Sequence, residues 1–346
     1  MNIGLITVYN SYNFGSFLQA ENLSYELGKY GEVFLVDGKV RKLIIPCLRR
    51  IKRNILTGRK VTDIFHGIFF EMGEFLRMKK CWRSLKSLPL KYADSQMDLF
   101  FLGSDEIWNV SRAECRCSLF WGEGLEKPRI SYAPSVNNAV DNDFKSECYK
   151  TYLSNMKAVS VRDNHSKSVI EKKTDKNVSV VLDPTLLNNP IVKKEYSIGQ
   201  PYIALYLFYG KLTAEEKKSI IKFARKKNMP LVSGGQYINW CDYNVHSYCG
   251  DPFYIYKNAD YVITNTFHGT AYAINYNKRF VTFGRGNSKI VDLLFQFQLE
   301  DCMSKGPEYL TQQLEKNIDY NKVNDLLQKN RIQSRQFIRN AILSEE

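Results

Sequence analysis

His268 stands in the stretch Asn265-Thr266-Phe267-His268-Gly269-Thr270-Ala271-Tyr272, directly after the apolar run DYVIT, and is one of four histidines in the chain. An imidazole at a strand-to-helix junction can titrate near neutral pH and carry a proton; a structural histidine is the competing reading. Arg162 closes another apolar run, AVSVR. A guanidinium there can grip a phosphate or carboxylate through two parallel hydrogen bonds, or it can pair with Asp163 or another acid. Asp105 follows LFFLG within Gly103-Ser104-Asp105-Glu106-Ile107-Trp108-Asn109. Ser104 or Asp105 can cap a helix, or the carboxylate can hold a substrate hydroxyl. Two further loops carry anion chemistry. Gly284-Arg285-Gly286-Asn287-Ser288-Lys289 sets Arg285 and Lys289 at the opening of a helix, with a solvated basic loop as the alternative. Tyr9-Asn10-Ser11-Tyr12-Asn13-Phe14-Gly15-Ser16 offers backbone N–H groups and a helix N-terminus, or turn and capping chemistry alone. It contains neither GxGxxG nor GxxxxGK[ST].

These residues share one kind of position, the end of an apolar β-type run. The runs are IGLITV (3–8), VFLVD (33–37), LFFLG (99–103), RISYA (129–133), AVSVR (158–162) and SVVLD (179–183). Their composition predicts buried parallel strands. Helical spacing lies between them, clearest where Ala20, Leu23, Leu27 and Tyr30 fall three and four apart. A second set follows Pro201: YIALYLF (202–208), a helix over 214–228, MPLVS (229–233), DYVIT (260–264), a helix from about His268, and FVTF (280–283). The alternation predicts an α/β protein of two doubly wound domains whose strand C-terminal ends face a shared cleft. Expected boundaries are 1–190 for the first domain, with a basic helical insertion over about 41–91, and 195–305 for the second. Helices over 306–346 follow.

At 346 residues the chain has room for two such domains. No apolar run reaches the ~18 residues of a membrane span, and the N-terminus reads as a first strand rather than a signal peptide. A cytoplasmic protein is therefore expected. The eight cysteines form no CxxC pair, so reduced and mostly buried thiols are expected. Net charge is +13, and residues 41–91 alone hold fourteen Lys or Arg against Asp63, Glu71 and Glu74. That segment lacks a zinc-finger or recognition-helix motif, which argues against a nucleic-acid partner.

In order along the chain, YNSYNFGSFLQA, GSDEIWN, SYAPS, VSVRDNHS, LDPTLL, TNTFHGTAYAI and the arginine-containing segment before NSKIVDLL resemble the motifs of the polysaccharide pyruvyl transferase family. The resemblance covers roughly residues 1–20 and 95–300. It implies a bilobed, GT-B-like fold of two Rossmann-like domains and transfer of the enolpyruvyl carbons of phosphoenolpyruvate (PEP) onto a sugar diol. The product is a cyclic ketal, phosphate is released, and no metal or organic cofactor is implied. The family's histidine carries over to His268 and the arginine of its SVRD motif to Arg162. Some members have an arginine two residues before the histidine, where this chain has Thr266. Arg285 and Lys289 are then candidates for the missing PEP contact, with Asn265 and Gly269 beside them. Asp105 is the candidate second catalytic residue, and Asn13, Ser104 and Trp108 the candidate acceptor contacts. A nucleotide-sugar-dependent glycosyltransferase is the alternative, since the same architecture would serve it.

The basic segment lies outside those motifs. With IIPCL, IFHGIFF and FLRM among its charges, it reads as amphipathic helices able to rest on an anionic membrane, at the inner face of the plasma membrane. A polyprenyl-diphosphate-linked acceptor would suit that placement. A packed helical insertion with a solvated basic face is the other reading.

Overall fold

A computed structural model of the chain describes residues 1–37, 44–57, 60–188, 198–208, 212–247 and 251–344. Two five-stranded sheets organise it. The first comprises β1 (Asn2–Ile6), β2 (Glu32–Asp37), β3 (Ser87–Pro89), β4 (Leu99–Leu102) and β5 (Arg129–Ser131), in the order β3-β2-β1-β4-β5. β6 (Val159–Val161) and β7 (Val178–Val180) extend it through a bridge between Ile130 and Ala158. The second comprises β8 (Ile203–Tyr206), β9 (Leu231–Gly234), β10 (Tyr243–Val245), β11 (Tyr261–Thr264) and β12 (Arg279–Thr282), in the order β10-β9-β8-β11-β12. Every strand pair among the described residues is parallel. The order reverses between β1 and β4 in one sheet and between β8 and β11 in the other. In open α/β sheets such switch points are where ligands bind.

Parallel strands covered on both faces need apolar residues throughout, and the central strands have them. Ile3, Leu5, Leu99 and Phe101 point to one face of the first sheet, while Ile6, Phe100 and Leu102 point to the other. In β8, Ala204 and Tyr206 join the same cluster as Ile3 and Leu5, whereas Ile203 and Leu205 face a separate one. The inner faces of both sheets thus share one continuous core.

Local signals set the helices that matter for the site. Asn13 caps α1 (Phe14–Leu27) by accepting from the Gly15 N–H at 3.1 Å. Between β2 and β3 the chain inserts a helical hairpin of α2 (Ile44–Thr57) and α3 (Val61–Trp82), which is the basic segment. Asp163 caps α4 (Asn164–Ile170), and Asp183 caps the short α5 (Pro184–Leu187). Thr213 and Glu216 form a reciprocal capping box on α6 (Ala214–Lys227). Thr266 caps α7 (Phe267–Asn275), and α8 (Ser288–Gln296) follows β12. The long α9 (Tyr320–Leu343) crosses back to the first lobe. There Ser334 accepts from the Leu182 N–H at 2.9 Å, and Arg331 Nε donates to the Leu186 carbonyl at 2.7 Å.

Arg41, Lys42 and Arg59 of the basic segment lie outside the described residues, as does most of the expected 190–200 linker. The expectation of reduced thiols is corrected at Cys81, fully buried near the end of α3, which is disulfide-bonded. Cys47, Cys115, Cys117, Cys148, Cys241 and Cys302 are free.

Candidate active site

A cavity of ≈ 220 Å³ lies where the four central strands of the two sheets end. Ser11, Asn13 and Ser16 reach it from beyond β1, and Asp105 and Glu106 from beyond β4. Tyr206 comes from β8 and Phe208 from just beyond it, Thr266, Phe267 and His268 from beyond β11, and Lys289 from α8. His268 is the second residue of α7 and is 7% exposed. Its ring lies against the first turn of α1: a Cβ built on Gly15 would sit 2.2 Å from Nδ1. Only glycine lets the first lobe approach the imidazole so closely. Nε2 is buried and finds no hydrogen-bond partner among the described residues. Buried polar atoms are normally satisfied, so an orphaned one in a cavity marks a place for a ligand group.

Asp105 has φ 68, a left-handed conformation uncommon outside glycine, asparagine and aspartate. Its Oδ2 accepts from the Ser16 hydroxyl at 2.7 Å and its Oδ1 from the Glu106 N–H at 2.9 Å. Arg162 Nη1 lies 2.9 Å from Asp183 Oδ2 and 3.9 Å from Asp105 Oδ1. The guanidinium also sits 4.4 Å from the centre of the Phe267 ring, and its Nε and Nη2 are buried without partners among the described residues. Asp183 accepts from the Thr185 N–H at 3.0 Å and the Thr185 hydroxyl at 2.7 Å. Lys289 pairs with Glu106, which also accepts from Asn137 Nδ2 at 2.9 Å.

The charges set the protonation states. Burial pushes the His268 imidazole below its ordinary 6.5; Asp183 and Asp105 oppose this, while Arg162 and Lys289 reinforce it. At neutral pH the ring is uncharged. Burial would raise the Asp105 carboxyl, but His268, Arg162, Lys289 and the Ser16 hydroxyl hold it below its ordinary range. Asp183 is likewise lowered: burial opposes ionisation, but His268, Arg162 and the Thr185 donors outweigh it. The arrangement is a neutral base flanked by two ionised carboxylates and two cations, able to move a proton beside an anionic ligand.

A family model for polysaccharide pyruvyl transferase matches residues 13–287, which include the Asn13 loop, Asp105, Arg162 and His268. The chain belongs to the polysaccharide pyruvyl transferase family. Membership makes it a transferase. No curated protein matches it by sequence. Among solved structures it is similar to the S. aureus MnaA–UDP co-structure, with a TM-score of 0.52, 10% identity, and 99% of this chain and 95% of that one covered. It is also similar to the glycotransferase of kitacinnamycin, with a TM-score of 0.51, 13% identity, and 99% and 97% coverage. At such identities the likeness shows a GT-B-like fold and nothing of the substrate.

In this member of the pyruvyl transferase family, several residues that the sequence puts forward take positions other than those expected. Arg285 is turned outward, its side chain 61% exposed and Nη2 2.5 Å from Glu216 Oε1 at the start of α6. It does not line the cavity. Trp108 is fully buried, stacked on Trp121 at 4.5 Å, with Nε1 donating to the Phe120 carbonyl at 3.0 Å; it is part of the core rather than an acceptor contact. Ser104 is also fully buried, and its hydroxyl donates to the Ala133 carbonyl at 3.0 Å. Asn265 exchanges both amide hydrogen bonds with the backbone of Phe208, at 2.6 and 3.0 Å, so it shapes the cavity wall. Gly269 gives its N–H to the Thr266 cap at 2.9 Å, and a Cβ there would meet Thr264 Oγ1 at 2.1 Å. Asn13 lines the cavity while capping α1. Arg162 borders a neighbouring cavity of ≈ 260 Å³, and Phe267 and Lys289 line both.

Gly15, Ser16, Glu106 and Asp183 belong to the site although the sequence alone did not single them out. The same holds for Arg50, whose Nη2 donates to the Tyr12 carbonyl at 3.1 Å and Nη1 to the Gly235 carbonyl at 3.3 Å, and which borders a small recess shared with Asn13 and Phe208. For Asp183 the signal was its place inside the LDPTLL motif; Gly15 stood out only as part of a polar loop.

Proposed function

We propose that the chain moves the pyruvyl carbons of PEP onto two hydroxyls of a sugar, galactose or a similar hexose in a surface-polysaccharide repeat unit, closing a cyclic ketal and releasing phosphate. The observation that carries this reading is the His268 imidazole, neutral and buried, with Nε2 unpartnered among the described residues in a cavity beside Asp105 and Lys289. Two protons must leave the sugar. One ends on the PEP methylene carbon, which becomes the methyl group, and the other leaves with phosphate. A neutral His268 takes the first hydroxyl proton as that oxygen attacks C2. The imidazolium so formed is stabilised by the ionised Asp105 and Asp183, and it delivers the proton to the methylene carbon. Asp105, fixed by Ser16, orients the second hydroxyl, whose oxygen bonds to C2 as the C2–O bond to phosphate breaks and whose proton leaves with the phosphate. Lys289 and the free N–H groups of Arg162 answer the PEP charges, and Asn13 meets the acceptor. PEP is a co-substrate, and no resident cofactor enters the scheme. The acceptor sugar is carried on a polyprenyl diphosphate.

Thermal denaturation with PEP, UDP-sugars and GDP-sugars tests the donor. PEP raising Tm while nucleotide sugars leave it unmoved supports the proposal. The opposite pattern would make the chain a nucleotide-sugar-dependent glycosyltransferase.

A further inference from the structure

The α2–α3 hairpin has two unlike sides. Its inner side is built into the protein: Cys47 and Met78 belong to the central core, Glu71 accepts from the Tyr12 hydroxyl at 2.9 Å, and Glu74 accepts from the Ser247 N–H at 2.8 Å. Its outer side is apolar. Val61, Phe65, Phe69, Met72 and Leu76 are each more than half exposed. Their spacings of four, four, three and four place them within an arc of ~80° on a helix of ~100° per residue. On α2, Leu48, Ile55 and Leu56 are exposed in the same manner.

An unpartnered apolar face of this size calls for an occupant, and the charges around it identify one. Lys52 lies between Leu48 and Ile55 on the exposed stripe of α2, and Lys79 and Arg83 continue the line of the α3 stripe beyond Leu76. Arg49, Lys60 and Arg77 are exposed alongside. The hairpin's acids are withheld from this side: Glu71 and Glu74 are buried and Asp63 is half-buried. A second copy seated here would bring two such basic faces together, whereas anionic headgroups over an apolar layer complement both features. No described helix is long and apolar enough to cross a membrane, so the contact is superficial.

We infer that the outer face of the α2–α3 hairpin docks on the surface of an anionic lipid bilayer, with the Val61–Leu76 stripe entering the headgroup boundary. Arg50 stands on the inner side of the same hairpin and borders the recess beside Asn13 and Phe208. Docking therefore sets the cleft about one helix diameter, ~10 Å, above the lipid. Delivery of a lipid-linked sugar to that cleft rests on the pyruvyl transfer proposed above; the docking itself does not.

The test is flotation of the purified full chain with vesicles of phosphatidylcholine alone and with phosphatidylglycerol added. At least tenfold more protein floats with the anionic vesicles, and added salt reduces the difference. The pair Phe65→Glu and Phe69→Glu lowers that binding at least tenfold. The pair Lys52→Glu and Lys79→Glu removes the preference for anionic lipid. All four positions are exposed, and circular dichroism of each variant checks that the fold persists; Met72→Glu with Leu76→Glu serves as a second apolar pair. Absence of flotation with both vesicle types overturns the inference. So does a dimer in light scattering that the apolar variants dissolve, which would make a second copy the occupant. The readout needs no turnover, so failure here leaves the reaction assignment untouched.

Discussion

The centre of the site is a contact between two residues 253 positions apart, Gly15 and His268. Because a Cβ on Gly15 would overlap Nδ1, Gly15→Ala should displace the imidazole while slightly favouring the helix it sits in. The expected outcome is a loss of turnover of at least tenfold together with a lowered Tm, since overpacking a buried contact costs about 1–3 kcal/mol, measured by steady-state kinetics and thermal denaturation together. His268 itself gives a pH prediction. Its pKa is depressed below 6.5, so the ring is already neutral at pH 7 and raising the pH adds nothing. The acid limb of kcat/KM should therefore have an apparent pKa below 6.5; a limb above that value would contradict a neutral resting imidazole. Thr266, where arginine-bearing relatives differ, is occupied as the helix cap and accepts from Gly269 at 2.9 Å. Lys289 lines the cavity from α8 and supplies a cation there without the arginine.

At the scale of elements, the strands carrying chemistry were legible because buried parallel strands are apolar without interruption. All six runs of the first lobe and the four of the second correspond to strands. β3 and β10 escaped notice: each has three residues, and β3 ends on Pro89. The helix starts were legible in part, since Thr213 with Glu216 and Asp163 follow local capping rules. Which side chain a loop turns into the cavity was not legible. Arg285 and Lys289 share one loop and helix start, yet Glu216 from a different helix draws Arg285 away. Trp108 read as a candidate acceptor contact, but Trp121, thirteen residues on, covers its ring. Trp108→Phe should thus lower stability by about 1–3 kcal/mol through the lost hydrogen bond and packing. The acceptor KM should not change. Urea denaturation and acceptor kinetics separate the two effects, and a raised KM at unchanged stability would restore Trp108 to the acceptor site.

Across the whole molecule, the two lobes are tied by a common core, by α9 and by the basic hairpin. Arg50 bonds carbonyls of both lobes, at Tyr12 and Gly235, and His246 of the second lobe stacks on Phe70 of α3 at 4.1 Å. Arg50→Ala should speed amide hydrogen exchange around both Tyr12 and Gly235; an effect confined to one lobe would mean that the hairpin does not bridge them. Acid stability should follow the buried charges. Asp105 and Asp183 have folded pKa values below 3.8, so their contribution is full above that pH and is lost as pH falls below it. His268 binds protons more weakly folded than unfolded, so stability begins to decline below pH 6.5. Urea midpoints across pH should show both phases, with the one that begins below pH 6.5 absent in His268→Ala. The most direct measurement remains the reaction: purified protein, PEP and a galactosyl or mannosyl acceptor, with phosphate and acceptor mass followed together. The expected result is acceptor-dependent phosphate release matched by a gain of one pyruvyl group, lowered at least a hundredfold in His268→Ala. Undiminished turnover in that variant would contradict the assignment.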